Sequence, residues 1–274
     1  MTSYLEIAAE IAREAGALTT KYFDRGVRFE IKGEQDLVTE ADRASEALIL
    51  ERLGSHFPTH TVVAEESGLH EHHSDYRWYV DPVDGTTNFA HGYPVYNVTL
   101  ALEHKGELIA GVVFDPTRNE MFTAERGSGA YLNNRRIQVS AAAGVDVALL
   151  ATGFPTHRRH ADVNFHFFYQ LAMVTHGMRR SGSAAIDLAH VACGRLDGFW
   201  EFRLSPWDMA AGKLLIEEAG GRVTDMRGRA HRLDSVHIFA SNGKIHPGTL
   251  GIFADTFAGR HAYALPEVTT VKDA

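Results

Sequence analysis

The chain has 274 residues, 45% of them hydrophobic and 23% charged, which suits one large core or two packed halves and excludes a disordered chain. Its 27 Lys and Arg against 35 Asp and Glu give a net charge of −8 with no block of one sign, which argues against nucleic acid as the main ligand. A single cysteine, Cys193, excludes an intrachain disulfide, no run reaches the ~20 apolar residues of a membrane span, and no basic-then-apolar leader opens the sequence, so a cytoplasmic protein is expected.

Leu5, Ala8, Ile11, Ala12, Ala15, Leu18 and Tyr22 recur at helical spacing and predict an opening amphipathic helix. A polar stretch, 32–36, follows. Thr39 is placed to cap a second helix carrying Ala44, Leu48, Ile49 and Leu53. Residues 61–64 and 77–80 read as short strands, each stopping at carboxylates. Residues 95–104 and 108–115 flank Lys105-Gly106-Glu107, a hairpin signal, and 120–124 adds a strand before the turn at 126–129.

The second half starts at a small-residue stretch near 140. Residues 147–152 and 198–202 read as strands, and 161–174 and 183–193 as helices. Ser205-Pro206 has the form of a helix start, and Gly220-Gly221 that of its stop. Further strands are read at 222–225 and 236–241. The expectation is a mixed α+β or α/β chain in two tightly packed halves, 1–140 and 141–274.

Asp81-Pro82-Val83-Asp84-Gly85-Thr86-Thr87 follows an apolar strand. Pro82 fixes its own φ, Gly85 frees the next step, and two acids are held close together. Such acids repel, and a divalent cation relieves the repulsion; oxygen-only ligands favour a hard ion such as Mg²⁺. That also answers how an acidic protein could hold a phosphate, since a bound cation inverts the local charge. Taken alone, the string reads more readily as an Asx turn in which Asp84 bonds local amides. Glu65-Glu66 ends the preceding strand, and side-by-side strands would bring Glu65 beside Asp81. Thr86-Thr87 opens a possible short helix with free amides, and Asp208 sits in the first turn after Ser205-Pro206, where capping is its plain role.

Asp36-Leu37-Val38-Thr39-Glu40-Ala41-Asp42, Ala64-Glu65-Glu66-Ser67, the string from Trp78 to Phe89, Gly182-Ser183-Ala184-Ala185, Pro206-Trp207-Asp208 and Glu218-Ala219-Gly220-Gly221 occur in that order. Together they resemble the inositol monophosphatase family of lithium-sensitive, magnesium-dependent phosphatases, over roughly residues 5–240. The resemblance implies a layered α-β-α-β-α sandwich and a homodimer. It implies two or three Mg²⁺ per site, held by Glu65, Asp81, the Val83 carbonyl, Asp84 and Asp208. It implies catalytic roles for Glu65 and Thr86, which position a metal-activated water for in-line attack, and for Asp42, which bonds that threonine. Gly85 and Thr86 amides would hold phosphate oxygens. Ser183, Ala184 and Glu201 would meet the alcohol of a small phosphate ester. Lys32 is a candidate for the outer surroundings of the metals, set against a solvated surface lysine. Ala64 stands where the family often has glycine.

The implied activity is hydrolysis of a small polyol phosphate, inositol 1-phosphate first. Histidinol phosphate and fructose 1,6-bisphosphate are the alternatives, and a non-catalytic binding protein is the reading from another class. Thr87 argues against the nucleotide-bisphosphate branch, which usually carries lysine there. His70, His72 and His73 read as a solvated loop rather than a zinc site. Arg179-Arg180 reads either as a solvated turn or as a partner for a second anionic group. Phe165, Phe167, Phe168 and Tyr169 read as helix core or subunit contact.

Overall fold

The computed structural model describes residues 3–26, 29–31, 37–155 and 162–265. Helix α1 (Tyr4–Arg25) opens with a Ser3–Glu6 capping box, and α2 (Glu40–His56) is capped by Thr39. Between them β1 (Phe29–Ile31) and β2 (Leu37–Thr39) form a small antiparallel pair.

The first large sheet follows from β3 (Thr61–Ala64), β4 (Gly68–His70), β5 (Tyr76–Asp84), β6 (Asn97–His104), β7 (Glu107–Asp115), β8 (Glu120–Glu125), β9 (Gly129–Leu132) and β10 (Arg135–Arg136). Its spatial order is β10-β9-β8-β7-β6-β5-β3-β4. Lys105 and Gly106 both have positive φ, 52° and 83°, the geometry of a two-residue turn matched to strand twist. A short helix, α3 (Thr86–Ala90), interrupts the chain between β5 and β6.

The second sheet orders as β12-β11-β13-β15-β14, from β11 (Leu149–Thr152), β12 (Gly177–Arg179), β13 (Gly198–Phe202), β14 (Arg222–Thr224) and β15 (His237–Ser241). A 3-10 turn (Val145–Val147) and helices α4 (Asn164–Ala172), α5 (Ala184–Ala192), α6 (Pro206–Glu218) and α7 (His246–Phe257) complete the described elements.

Three of the four apolar cores among the described residues stack these elements into layers. Ile11 and Ala15 of α1 and Ile49 and Leu53 of α2 meet Trp78, Val80, Leu100 and Val112 on one face of the large sheet. Its other face, with Tyr79, Ala101, Val113 and Phe122, packs on Leu188 of α5 and Leu214 and Leu215 of α6. The far side of that helix layer meets Phe199, Ile238 and Ala240 of the second sheet. Trp200 and Phe239 then pack outward on Phe167 of α4 and Phe253 of α7. The arrangement is α-β-α-β-α. Central strands buried on both faces explain why they read as continuous apolar runs. Among the described residues no helix is long and apolar enough to cross a membrane.

Candidate active site

The acids of β5 do not flank a turn after the strand. Asp81 pairs with Thr99 and Asp84 with Asn97, so three steps along β5 oppose two along β6. This is a bulge, and Pro82, which cannot donate to a ladder, sits inside it. Its consequence is geometric. In a regular strand, residues three apart face opposite ways. Thr99 and Asn97 share a face, as their side-chain contact of 2.5 Å requires, so the bulge brings Asp81 and Asp84 onto one face as well. The turn comes next, at Gly85, with φ 96° and ψ 34°. A Cβ there would stand 2.9 Å from the Val95 carbonyl oxygen, so both the conformation and the space call for glycine.

Parallel pairing of β3 with β5 sets Ala64 opposite Val80, and the Glu65 amide continues the ladder to the Val80 carbonyl at 3.1 Å. Glu65 therefore emerges beside Asp81. Two groups of α2 hold this edge. Glu46, buried, accepts the Glu66 and Ser67 amides at 2.8 and 2.9 Å, and Ser45 donates to the Pro82 carbonyl at 3.0 Å. Asp42, one turn earlier on α2, accepts the Thr39 amide at 2.8 Å and the Thr86 hydroxyl at 3.1 Å. The Thr86 hydroxyl also lies 3.0 Å from the Val83 carbonyl oxygen.

The second half supplies the remaining walls. Asp84 Oδ2 accepts from Ser183 Oγ at 2.7 Å, Asn97 Nδ2 at 2.9 Å and the Ala185 amide at 2.9 Å. Asn88 Nδ2 bonds both the Val95 and Ser181 carbonyls at 2.8 Å, which ties α3 to the loop before α5. Asp208 closes the capping box of α6 with the Ser205 amide at 2.6 Å. Asp84, Gly85, Thr86, Ser183, Ala184, Glu201 and Asp208 line one cavity of about 170 Å³, with Thr87, Arg180 and Asp187 also on its wall. A Cβ on Gly153 would fall 2.2 Å from Glu201 Oε2, so the missing side chain makes the room in which that carboxylate lies.

Burial, then the charges of Glu65, Asp84 and Asp208, push Asp81 well above the usual carboxylate range. Burial also raises Asp84, though its bonds from Ser183, Asn97 and the Ala185 amide pull the other way. Asp208 is pushed up to about 7 by burial and by Asp84, with the Ser205 amide opposing. Burial, then Asp208, Asp187 and Asp84, lift Glu201 well above the ordinary range, with Arg180 opposing. These acids need either protons or a cation among them.

The donor set, all carboxylates and carbonyls, fits a hard dication. As the side chains stand, no three of the described Asp, Glu, His and Cys groups already converge as ligands of one ion. Asp81 faces the Val83 amide and Glu65, and Asp84 Oδ2 faces three donors.

A model of the inositol monophosphatase family matches residues 1–256. The chain belongs to the inositol monophosphatase family. Within it, an inositol-1-monophosphatase of Synechocystis is 47% identical over 249 residues, covering 90% of this chain and 87% of the relative. A protein of Pseudomonas aeruginosa named Nus factor SuhB is 46% identical over 252 residues, covering 89% and 93%. Among solved structures, the extragenic suppressor protein suhB from Bartonella henselae superposes with a TM-score of 0.88 at 39% identity, covering 92% of this chain and 98% of that one. The inositol monophosphatase from Anabaena gives 0.84 at 42%, covering 92% and 95%. Membership supports a phosphatase.

Lys32 lies outside the described residues. His72 and His73 are exposed, and His70 bonds Ser67 Oγ at 2.6 Å. The aromatic run divides: Phe167 is in the core, while Phe165 is exposed and stacks at 4.6 Å on Phe154, which lines the cavity. Of the arginine pair, Arg180 reaches the cavity wall. Helix α4 begins at Asn164, whose side chain is spent on Thr152 and Trp200, three residues past the expected start. Ser45, Glu46, Asn97 and Asp187 were not legible in the sequence. Each is a polar residue whose type and spacing mark no site, a signal that becomes informative only once burial is known.

Proposed function

We propose that the chain is a Mg²⁺-dependent phosphomonoesterase for a small polyol phosphate, with inositol 1-phosphate as the first candidate. The observation that carries this reading is the electrostatic proximity of Glu65, Asp84 and Asp208 to buried Asp81, with Thr86 and Asp208 lining the same cavity as Asp84. Glu65, Asp81, the Val83 carbonyl, Asp84 and Asp208 would hold the ions. Bound there, Mg²⁺ supplies charge neutralisation for the phosphate and acidifies water.

The chain's own groups then have distinct tasks. Thr86 has two acceptors, Asp42 and the Val83 carbonyl, for its single hydrogen, so its outward lone pair is left to accept from an attacking water. Glu65 lies on the same edge and can take the proton. Amides at the start of α3 lack intrahelical partners and suit phosphate oxygens. Glu201 and the Ser183-Ala184 corner face the alcohol. Pairing of two chains into a homodimer is part of this reading, and light scattering tests it.

Phosphate release with Mg²⁺ should vanish in EDTA, and Asp84→Asn should fall about a thousandfold or more with its fold retained. Equal release with and without chelator would sink the reading. A panel of inositol 1-phosphate, histidinol phosphate, fructose 1,6-bisphosphate and glycerol 2-phosphate, ranked by kcat/KM, chooses among substrates.

The name Nus factor carried by the Pseudomonas relative favours a second reading, a Nus-factor role for this chain. That role should survive Asp84→Asn if it uses the fold rather than the chemistry. Complementation of a strain lacking its own SuhB, with wild type and Asp84→Asn side by side, separates the two.

A further inference from the structure

A second cavity, of about 580 Å³, lies between the large sheet and the loop after β14, and it shares no lining residue with the candidate active site. Arg77 and Tyr79 of β5 form part of its wall. They alternate with the α1-facing Trp78 and Val80, so they lie on the same face of the strand as Asp81. Pro206 and Lys213 of α6, Arg126 and His231 complete the side facing them.

The polar groups here are unevenly satisfied. Arg126 and Lys213 both bond Glu217, at 2.9 and 2.5 Å, and Arg232 bonds Asp234 at 3.0 Å. Arg77 has no such carboxylate among the described residues. Its register partner Glu103 accepts the Tyr79 hydroxyl at 3.2 Å, and Arg77 itself contacts that hydroxyl while its Nε stays unpaired. His231 is only 7% exposed, and both of its ring nitrogens are buried without a hydrogen-bond partner. Among the described residues six buried side-chain polar atoms are unpaired, and three of them belong to Arg77 and His231.

Unpaired buried polar atoms are costly, so their concentration on one cavity is informative. Burial, then the Lys213 charge, pushes His231 down to about 4, so at neutral pH its ring offers one N–H donor and one bare nitrogen. That combination suits a hydroxyl, which both donates and accepts. The guanidinium of Arg77 suits an oxyanion. The acids Glu103, Glu107 and Asp234 on the same wall disfavour a highly charged polyanion.

We propose that this cavity is a second binding site, separate from the phosphatase centre, for a small organic oxyanion that also bears a hydroxyl, with Arg77 taking the anionic group and His231 the hydroxyl. Because the ring nitrogens are buried, binding draws the His231 ring toward the cavity, and the pairing it gains favours that movement. The oxyanion is a carboxylate or a phosphate, and the probes below tell which.

The test follows the His231 ring signals by NMR in the full chain with Mg²⁺ present, assigned by their loss in His231→Gln. L-malate and inorganic phosphate are titrated separately. A saturable shift of these signals by either probe is expected, and the responding probe names the anion. Arg77→Met should raise the concentration needed by about tenfold or more. Leu233→Trp, which fills the cavity from its other wall, should abolish the response even if Arg77→Met proves unstable. Asp84→Asn should leave the response in place. No saturable shift with either probe, or a shift that Leu233→Trp leaves unchanged or that Asp84→Asn removes, overturns the proposal.

Discussion

The hydroxyl of Thr86 stands 3.1 Å from the carboxylate of Asp42, across 44 positions of sequence. Asp42 is itself fixed by Thr39, so the helix cap of α2 and the orientation of Thr86 are one device. Thr86→Val keeps the volume and removes the hydroxyl. It should lower kcat by about a hundredfold to ten-thousandfold with little change in KM, and Thr86→Ser should recover much of the loss. Steady-state phosphate release checks both.

Metal and pH should act together on stability. The native pKa of Asp208, about 7, lies above the ordinary 3.8, so the folded state binds more protons than the unfolded one between those values. That contribution is fully present below the unfolded pKa and is lost as pH rises through about 7. A dication in the cluster removes the repulsion that the protons had relieved. Saturating Mg²⁺ should therefore stabilise the chain more at pH 8 than at pH 5.5, by on the order of 2–4 kcal/mol. Thermal melts with Mg²⁺ and with EDTA at both pH values read the difference; an equal gain at both would refute the argument.

Asn97 is fully buried and links Asp84, Ser183 and Thr99. Asn97→Leu takes one of three donors from Asp84 Oδ2 and removes the acceptor of the buried Thr99 hydroxyl. A loss of about 2–4 kcal/mol is expected in urea unfolding, together with weaker Mg²⁺ dependence of activity.

His246 provides a separate acid sensitivity, far from the carboxylates in sequence. It is fully buried at the start of α7, between Thr224 Oγ1 at 2.9 Å and Ser241 Oγ at 2.8 Å. Thr224 spends its own hydrogen on the Asp225 carbonyl, so Nε2 carries the ring proton and Ser241 donates to Nδ1. Burial, then Arg222, pushes His246 down to about 4, below the ordinary 6.5. The unfolded state thus binds more protons between those values, and stability falls as pH drops from about 6.5 toward 4. The term is on the order of 2 kcal/mol after allowance for solvent screening. His246→Gln should be less stable at pH 7.5 and should show a shallower decline of Tm between pH 6.5 and 4.5.

The local rules of the chain carried much of this. Spacing of Ile11, Ala12 and Ala15 determined a helix face, Thr39 and Ser205-Pro206 determined helix starts, and Lys105-Gly106 determined a hairpin, because each depends on neighbours within a few residues. The string from Asp81 to Thr87 determined that two acids and two hydroxyls lie together, and strand adjacency was enough to expect Glu65 at their side. Tertiary structure decided the rest. The bulge that turns Asp81 and Asp84 to one face exists only against β6, since a register shift is a property of a pair of strands. Asn97, Ser45 and Glu46 became parts of the site only when burial left them no solvent and a single set of partners. Asp208 was a helix cap in the sequence and is that still. Packing of α6 between the two sheets made the same carboxylate face Asp84, because charges 124 positions apart along the chain interact only once folding has closed the distance between them.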